Sequence, residues 1–177
     1  MKKVLAAAVM TALALSTAGC GNKDDEKAAT AISSSIIKEQ KSGQTSSVKL
    51  TQKQADCIGK GLVDKIGTEQ LQKYDVITKD LKVNKDVTNV KMSSKDATSA
   101  TDTFFSCADV MGMMKKAMSS SAQMPAEVKA CMNKAMTEPA VRKMFVGMFT
   151  GDKNASQDLT KSMMQCAAAG VNGHAAN

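Results

Sequence analysis

The 177-residue sequence predicts an all-α fold built from two related helical units. Three observations carry that prediction. Through most of residues 51–170 apolar side chains recur at steps of three and four, the spacing that lines one face of a helix. Only two prolines occur, Pro125 and Pro139, each where a helix can begin, and alternating β-branched runs are few. Finally, two stretches match when aligned on cysteine. Cys57-Ile58-Gly59-Lys60-Gly61-Leu62-Val63-Asp64 corresponds to Cys131-Met132-Asn133-Lys134-Ala135-Met136-Thr137-Glu138. Phe104-Phe105-Ser106-Cys107-Ala108 corresponds to Met163-Met164-Gln165-Cys166-Ala167.

At the N-terminus, Lys2 and Lys3 precede an apolar run from Val4 to Leu15, and small residues follow. That order is a secretory signal peptide, and the run is shorter than the ~20 apolar residues of a spanning helix. Two cleavage readings are open. Ser16-Thr17-Ala18 fits the small-x-small rule of the general signal peptidase. Thr17-Ala18-Gly19-Cys20 resembles the lipobox of bacterial lipoproteins, departing at Thr17, where that family usually has Leu. The resemblance covers residues 1–20 and implies a signal peptide over 1–19, with Cys20 acylated (palmitate on the chain) as the new N-terminus. It also implies export and a lipid anchor in a membrane facing the periplasm. Gly21 rather than Asp after the cysteine implies the outer membrane over the inner, by the sorting of enterobacterial-type cells.

Residues 20–48 read as this cysteine and a flexible tether, polar and small in composition, with Lys23-Asp24-Asp25-Glu26-Lys27 early and Ser42-Gly43-Gln44-Thr45-Ser46-Ser47 late. Ile32, Ile36 and Ile37 can form a transient turn there or dock on the domain. The helical domain spans 49–170, with unit one at about 51–118 and unit two at about 124–170; residues 171–177 read as a flexible tail.

In unit one, Thr51 and Gln54 have capping-box spacing and open a helix continued by Ile58, Leu62, Val63 and Ile66. Gly67 suits its C-terminus, and Thr68 can cap a short helix with Leu71 and Tyr74. Asp75 to Met92 is weakly patterned. Ser93 and Asp96 mark a start, and Ala97, Ala100, Phe104, Cys107, Met111, Met114 and Met118 predict one long helix, with Gly112 its weak point. In unit two, Pro125 and Glu127 suit a first turn, and Val128, Cys131, Met132, Ala135 and Met136 form a face. Thr137-Glu138-Pro139 starts a helix facing inward through Val141, Met144, Phe145, Met148 and Phe149, which Gly151 closes. A last helix from about Ser156 uses Leu159, Met163 and Cys166 and stops near Gly170.

The chain has five cysteines, an odd number that is a hazard in an exported protein. Acylation of Cys20 leaves four, and the repeat favours pairing Cys57–Cys107 and Cys131–Cys166, one bridge per unit. No pair has CxxC spacing, so structural disulfides suit these cysteines better than a metal.

Lys plus Arg number 24 against 17 acidic residues; the signal removes Lys2 and Lys3, leaving 22 against 17, or +5. The basic residues are interspersed with acids, and the aromatics are one Tyr and four Phe, with no Trp. A nucleic-acid surface wants a basic stripe with stacking rings, so no nucleic-acid partner is expected. The single histidine, His174, falls in the tail. There is no GxSxG elbow, P-loop or GxGxxG, and Asp56, Asp64, Asp102, Asp109 and Glu138 carry no pairing signal. The expectation is a chain with no catalytic residues and no cofactor.

Methionine is the anomaly: eleven of 14 fall between Met111 and Met164. Three readings are open. Methionine can replace leucine in a helical core; it can form a deformable apolar surface for a protein or lipid partner; or its thioethers can bind Cu(I). The functional expectation is a non-catalytic binding or accessory module using an apolar surface at Met111, Met114, Met118, Met144 and Met148. The alternative is a periplasmic Cu(I)-binding protein using Met111, Met114 and Met118.

Overall fold

A computed structural model describes residues 22–41, 49–85, 90–119 and 124–174, with side chains to residue 168. Cys20 and residues 1–19, where a signal peptide is expected, lie outside the described residues. Eight helices follow in order: α1 (Lys23–Lys41), α2 (Gln52–Ile66), α3 (Thr68–Lys73), α4 (Ser94–Cys107), α5 (Val110–Ser119), α6 (Ala126–Ala135), α7 (Glu138–Thr150) and α8 (Gln157–His174). α1 packs on α2, α2 on α4 and α4 on α7, while α6 pairs with α8. No strand of a sheet occurs among the described residues; a single bridge joins Ile77 to Val83.

Three helix starts follow the capping chemistry read from the sequence; Thr68 does not cap α3, whose N-cap is Gly67 without a side-chain bond, because its hydroxyl donates to Asp25 instead. Thr51 accepts from the Gln54 backbone at 3.3 Å, and Gln54 Oε1 accepts from the Thr51 N–H at 2.9 Å, completing the capping box. Ser93 accepts from Asp96 N at 3.1 Å, and Thr137 from Ala140 N at 3.4 Å. Gly151 ends α7 in the left-handed region, at φ 75°.

Both disulfides form as the repeat predicts. Cys57–Cys107 ties α2 to α4 with Cα atoms 5.6 Å apart, and Cys131–Cys166 ties α6 to α8 at 5.5 Å. Each bridge therefore joins the opening and closing helices of one unit. The units differ between their paired helices: α7 fills that place in the second, whereas the first has α3 and an irregular stretch.

Three further expectations are corrected. The stretch read as a tether is for the most part α1, a 19-residue helix docked on α2. Its apolar residues Ala28, Ile32 and Ile36 are spaced by four; the first two are buried and Ile36 packs beside them in the core. Acids occupy its first turn and lysines its last, the arrangement the helix dipole favours. Gly59 lets the helices close: a β-carbon built there would run into the Ala29 carbonyl oxygen. Small polar composition masked this one apolar stripe.

The long helix expected from Ser93 to Met118 breaks after Cys107. Ala108 is extended, at φ −144° and ψ 148°, and the Asp109 carboxylate accepts from Gly112 N at 2.8 Å. Asp109 thus starts α5 as a new helix. Last, α8 runs past Gly170 to His174 rather than fraying there. Ala167, Ala168 and Ala169 are strong helix formers, and Gly170 and Gly173 cost only about 1 kcal/mol each against them.

Two apolar clusters make up the core. The first lies among α1, α2, α3, residues 77–83 and 90–92, and α4, centred on Ile58, Leu71, Ile77 and Ala97. Tyr74 latches its edge, donating to Asp96 at 2.7 Å and accepting from Ser93 N at 3.0 Å. The second, around Val110, Met136 and Val141, lies where α4, α5 and α7 meet.

Candidate functional site

The second cluster is unusual for how little of it is fully buried. Around Ala108, Val110, Met136 and Val141 lie half-buried Met111, Met113, Met114, Met118, Met144, Phe104, Phe105 and Phe145. Between them is a cavity of about 220 Å³ lined only by apolar residues: Leu50, Phe104, Ala108, Val110, Met113, Met114 and Phe145. At about 30 Å³ per water, that is roughly seven water volumes. An apolar space of this size suits a single ring, a branched side chain or a short alkyl chain.

Several elements build it. The break at Ala108 turns α5 away from the α4 axis, so Val110, Met113 and Met114 come back over Phe104. The α4–α7 contact supplies an aromatic wall: Phe104 lies 6.1 Å from Phe145 and 5.9 Å from Phe149, and Phe105 meets Phe145 edge-on at 5.7 Å. Such pairs contribute about 0.5–1.5 kcal/mol each beyond their buried area. Leu50, just before α2, closes the remaining side; its N–H is held by the Gln40 side chain at the end of α1.

One ionic clamp fixes α7 beside this wall. Arg142, the only arginine, bonds Glu138 and Asp102 at 2.7 Å each and stacks 4.1 Å above the Phe105 ring. The hydrogen bond to Glu138 is the main reason its guanidinium is held above its ordinary range. A second pair, Lys143–Asp158 at 2.8 Å, links α7 to α8. It is fully exposed, and its hydrogen bond raises the lysine and lowers the acid.

Of the five methionines expected to form a surface, Met111, Met114, Met118 and Met144 come together here. Met148 stands apart on α7, 58 % exposed. Met113 lines the cavity beside Met114; on a continuous α4–α5 helix it points elsewhere, and only the Asp109 cap in the sequence signals the turn that brings it in. Leu50 and Val110 carried no signal of their own. Across the described residues Met92 and Met136 are buried, Met148 and Met164 exposed, and the other eight methionines half-buried. Two are thus fully enclosed in the core, and five of the half-buried ones pack against its second cluster.

Elsewhere the surface offers less chemistry. A hollow of about 830 Å³ beside the α1 N-terminus and α3 is lined mostly by polar side chains, and one of about 560 Å³ between α1 and α2 carries both acids and a lysine. Among the described residues no group of three or more His, Cys, Asp or Glu could hold a metal ion. None of the described helices is long and apolar enough to cross a membrane. Compared with protein-family models, with curated proteins and with solved structures, the chain matches none.

Proposed function

We propose that this is a lipid-anchored protein of the bacterial cell envelope, attached through Cys20, whose helical domain is a non-catalytic binding module. The observation that carries the binding reading is the apolar cavity at Phe104, Met114 and Phe145, rimmed by half-buried methionines. Flexible thioether side chains adapt to apolar partners of varied shape. The cavity's size favours an anchor side chain of a partner protein over a whole lipid. Burying one Leu- or Phe-sized group contributes about 1.5–3 kcal/mol, so the rim must supply the rest of any stable contact. Anchoring fits the signal sequence, the odd fifth cysteine and an outer-membrane address, with the domain on the periplasmic side.

Binding is tested with a small apolar fluorescent probe titrated into the purified protein. Saturable one-to-one binding that Ala108→Leu abolishes, with an unchanged circular dichroism spectrum, is the expected result. Binding that ignores Ala108→Leu refutes the site. Tight anaerobic Cu(I) binding weakened by Met111→Leu and Met114→Leu would move the assignment to copper handling. Anchoring is tested by palmitate labelling, which Cys20→Ala should eliminate.

A further inference from the structure

We propose that the domain stands end-on against the bilayer, with the α1 N-terminus, α3 and the 79–81 turn at the lipid headgroups and the apolar cavity facing away. The inference rests on acylation of Cys20, proposed above, and adds an orientation to it.

The first step is that α1 is part of the rigid body. Ala28 and Ile32 are buried and the backbones close at Gly59. Asp25 accepts from Thr68 at one end of the α1–α2 pair, and Gln40 holds Leu50 at the other. α1 and α2 are thus antiparallel.

The second step is reach. Only three residue steps separate Cys20 from Lys23, where α1 begins, so the acylated residue stays within about 10 Å of the helix start. The helix itself, 19 residues long, spans about 28 Å. Its far end, with Gln40 and Leu50, is held well beyond the reach of the anchor.

The third step places the cavity towards that far end. α4 runs antiparallel to α2: Cys107 is bonded to Cys57, and Thr103 Cγ2 is 2.6 Å from where a β-carbon on Gly61 would sit. The start of α4, by contrast, is latched to Tyr74 just after α3. Phe104 thus lies about midway along α2, and the cavity runs from it past Ala108 and the turn into α5 to Leu50, towards the end remote from Cys20.

Charge does not compete with this placement. The hollow at the near end carries Asp24, Asp25, Glu69 and Asp80 against Lys27, Lys73 and Lys79, four acids to three lysines. Lys23 at the start of α1 makes it four of each, so neither sign dominates there and the acyl chains are the main attachment. A partner for the cavity must then come from the space facing away from the protein's own membrane.

The chain has no tryptophan, so one introduced tryptophan reports on one position. The acylated full-length protein is placed in phosphatidylcholine vesicles carrying a headgroup nitroxide quencher. Lys79→Trp, near the anchor, should lose most of its fluorescence, and Lys53→Trp, at the start of α2, should keep it. Lys73→Trp and Lys49→Trp repeat the comparison should either first variant misfold. Equal quenching at both ends, or stronger quenching at Lys53, overturns the orientation while the anchor stands. A wild-type protein that floats with vesicles no better than Cys20→Ala overturns the anchor and the orientation together. Flotation should also survive high salt; its loss there overturns the acyl chains as the main attachment.

Discussion

Replacing Gly59 by alanine separates a docked α1 from a loose one by the sign of a single free-energy change. If α1 were a loose tether, Gly59 would be an ordinary glycine inside α2. Alanine would then stabilise the helix by about 0.5–1 kcal/mol. In the docked structure the new methyl meets the Ala29 carbonyl oxygen, which is backbone and cannot rotate away. Overpacking of this kind costs about 1–3 kcal/mol, which offsets the helix gain and leaves a net loss of up to about 2.5 kcal/mol. For a domain of this size that is a fall of up to roughly 10 °C in melting temperature. Ile32→Ala gives an independent reading of the same contact. Ile32 is 5 % exposed, and truncating a buried isoleucine costs about 2–5 kcal/mol, whereas on a loose segment it costs nothing. Urea unfolding followed by circular dichroism, with the disulfides intact, measures both. A Gly59→Ala protein more stable than wild type, together with a silent Ile32→Ala, refutes the docking of α1 and the rigid orientation built on it.

The disulfides close loops of 50 and 35 residues, and chain-entropy theory assigns each about 4 kcal/mol. Cys57→Ser with Cys107→Ser, and Cys131→Ser with Cys166→Ser, should each lower the unfolding free energy measured in urea by that order; no change in either refutes its role as a staple. The Lys143–Asp158 pair gives a pH signature. The acid is lowered, so its contribution is present above its unfolded pKa and lost as pH falls through the folded value. The lysine is raised, so its contribution is present below its unfolded pKa and lost as pH rises through the folded one. The small stability difference between wild type and Lys143→Met should therefore hold between about pH 4 and pH 10 and vanish outside. A difference that persists at about pH 2 refutes the ion pair as its source. Phe145→Ala removes the ring that lines the cavity and meets three other phenylalanines. It should cost about 3 kcal/mol, toward the low end for phenylalanine because the ring is only half-buried.

Helix starts were legible because caps are local: Thr51, Ser93 and Thr137 each announce themselves within four residues. The disulfide pairing was legible because the cysteine-centred repeat equates the two units. What escaped the sequence depends on contacts distant along the chain. The polar composition of residues 21–48 suggests a linker, and only Gly59, some thirty positions away, explains why so small an apolar stripe suffices to dock a helix. At Asp109 the opposite happened. The apolar period from Ala97 to Met118 runs on through the break, while a single capping carboxylate redirects the backbone. Periodicity records which residues face inward and is silent on whether the axis bends between them.

That bend also decides how the methionines should be understood. A core needs residues with well-defined rotamers, and leucine fills that role better than methionine. If volume were the only requirement, methionines would concentrate at Ile58, Leu71, Ile77 and Val141, the positions that are almost fully buried. They do not. They gather along α5 and the adjoining face of α7, only partly buried, beside a space that Met113 and Met114 line. Flexibility brings a packed core little and brings a contact surface a great deal, because an unbranched thioether can close over the cavity when it is vacant and withdraw when it is filled. Met113→Leu with Met114→Leu keeps the apolar volume and removes that freedom. Thermal stability should hold or rise slightly, while binding of apolar probes of differing shape should narrow to the few that fit. Probe binding that is equally broad in the variant would mean that the thioethers serve only as packing.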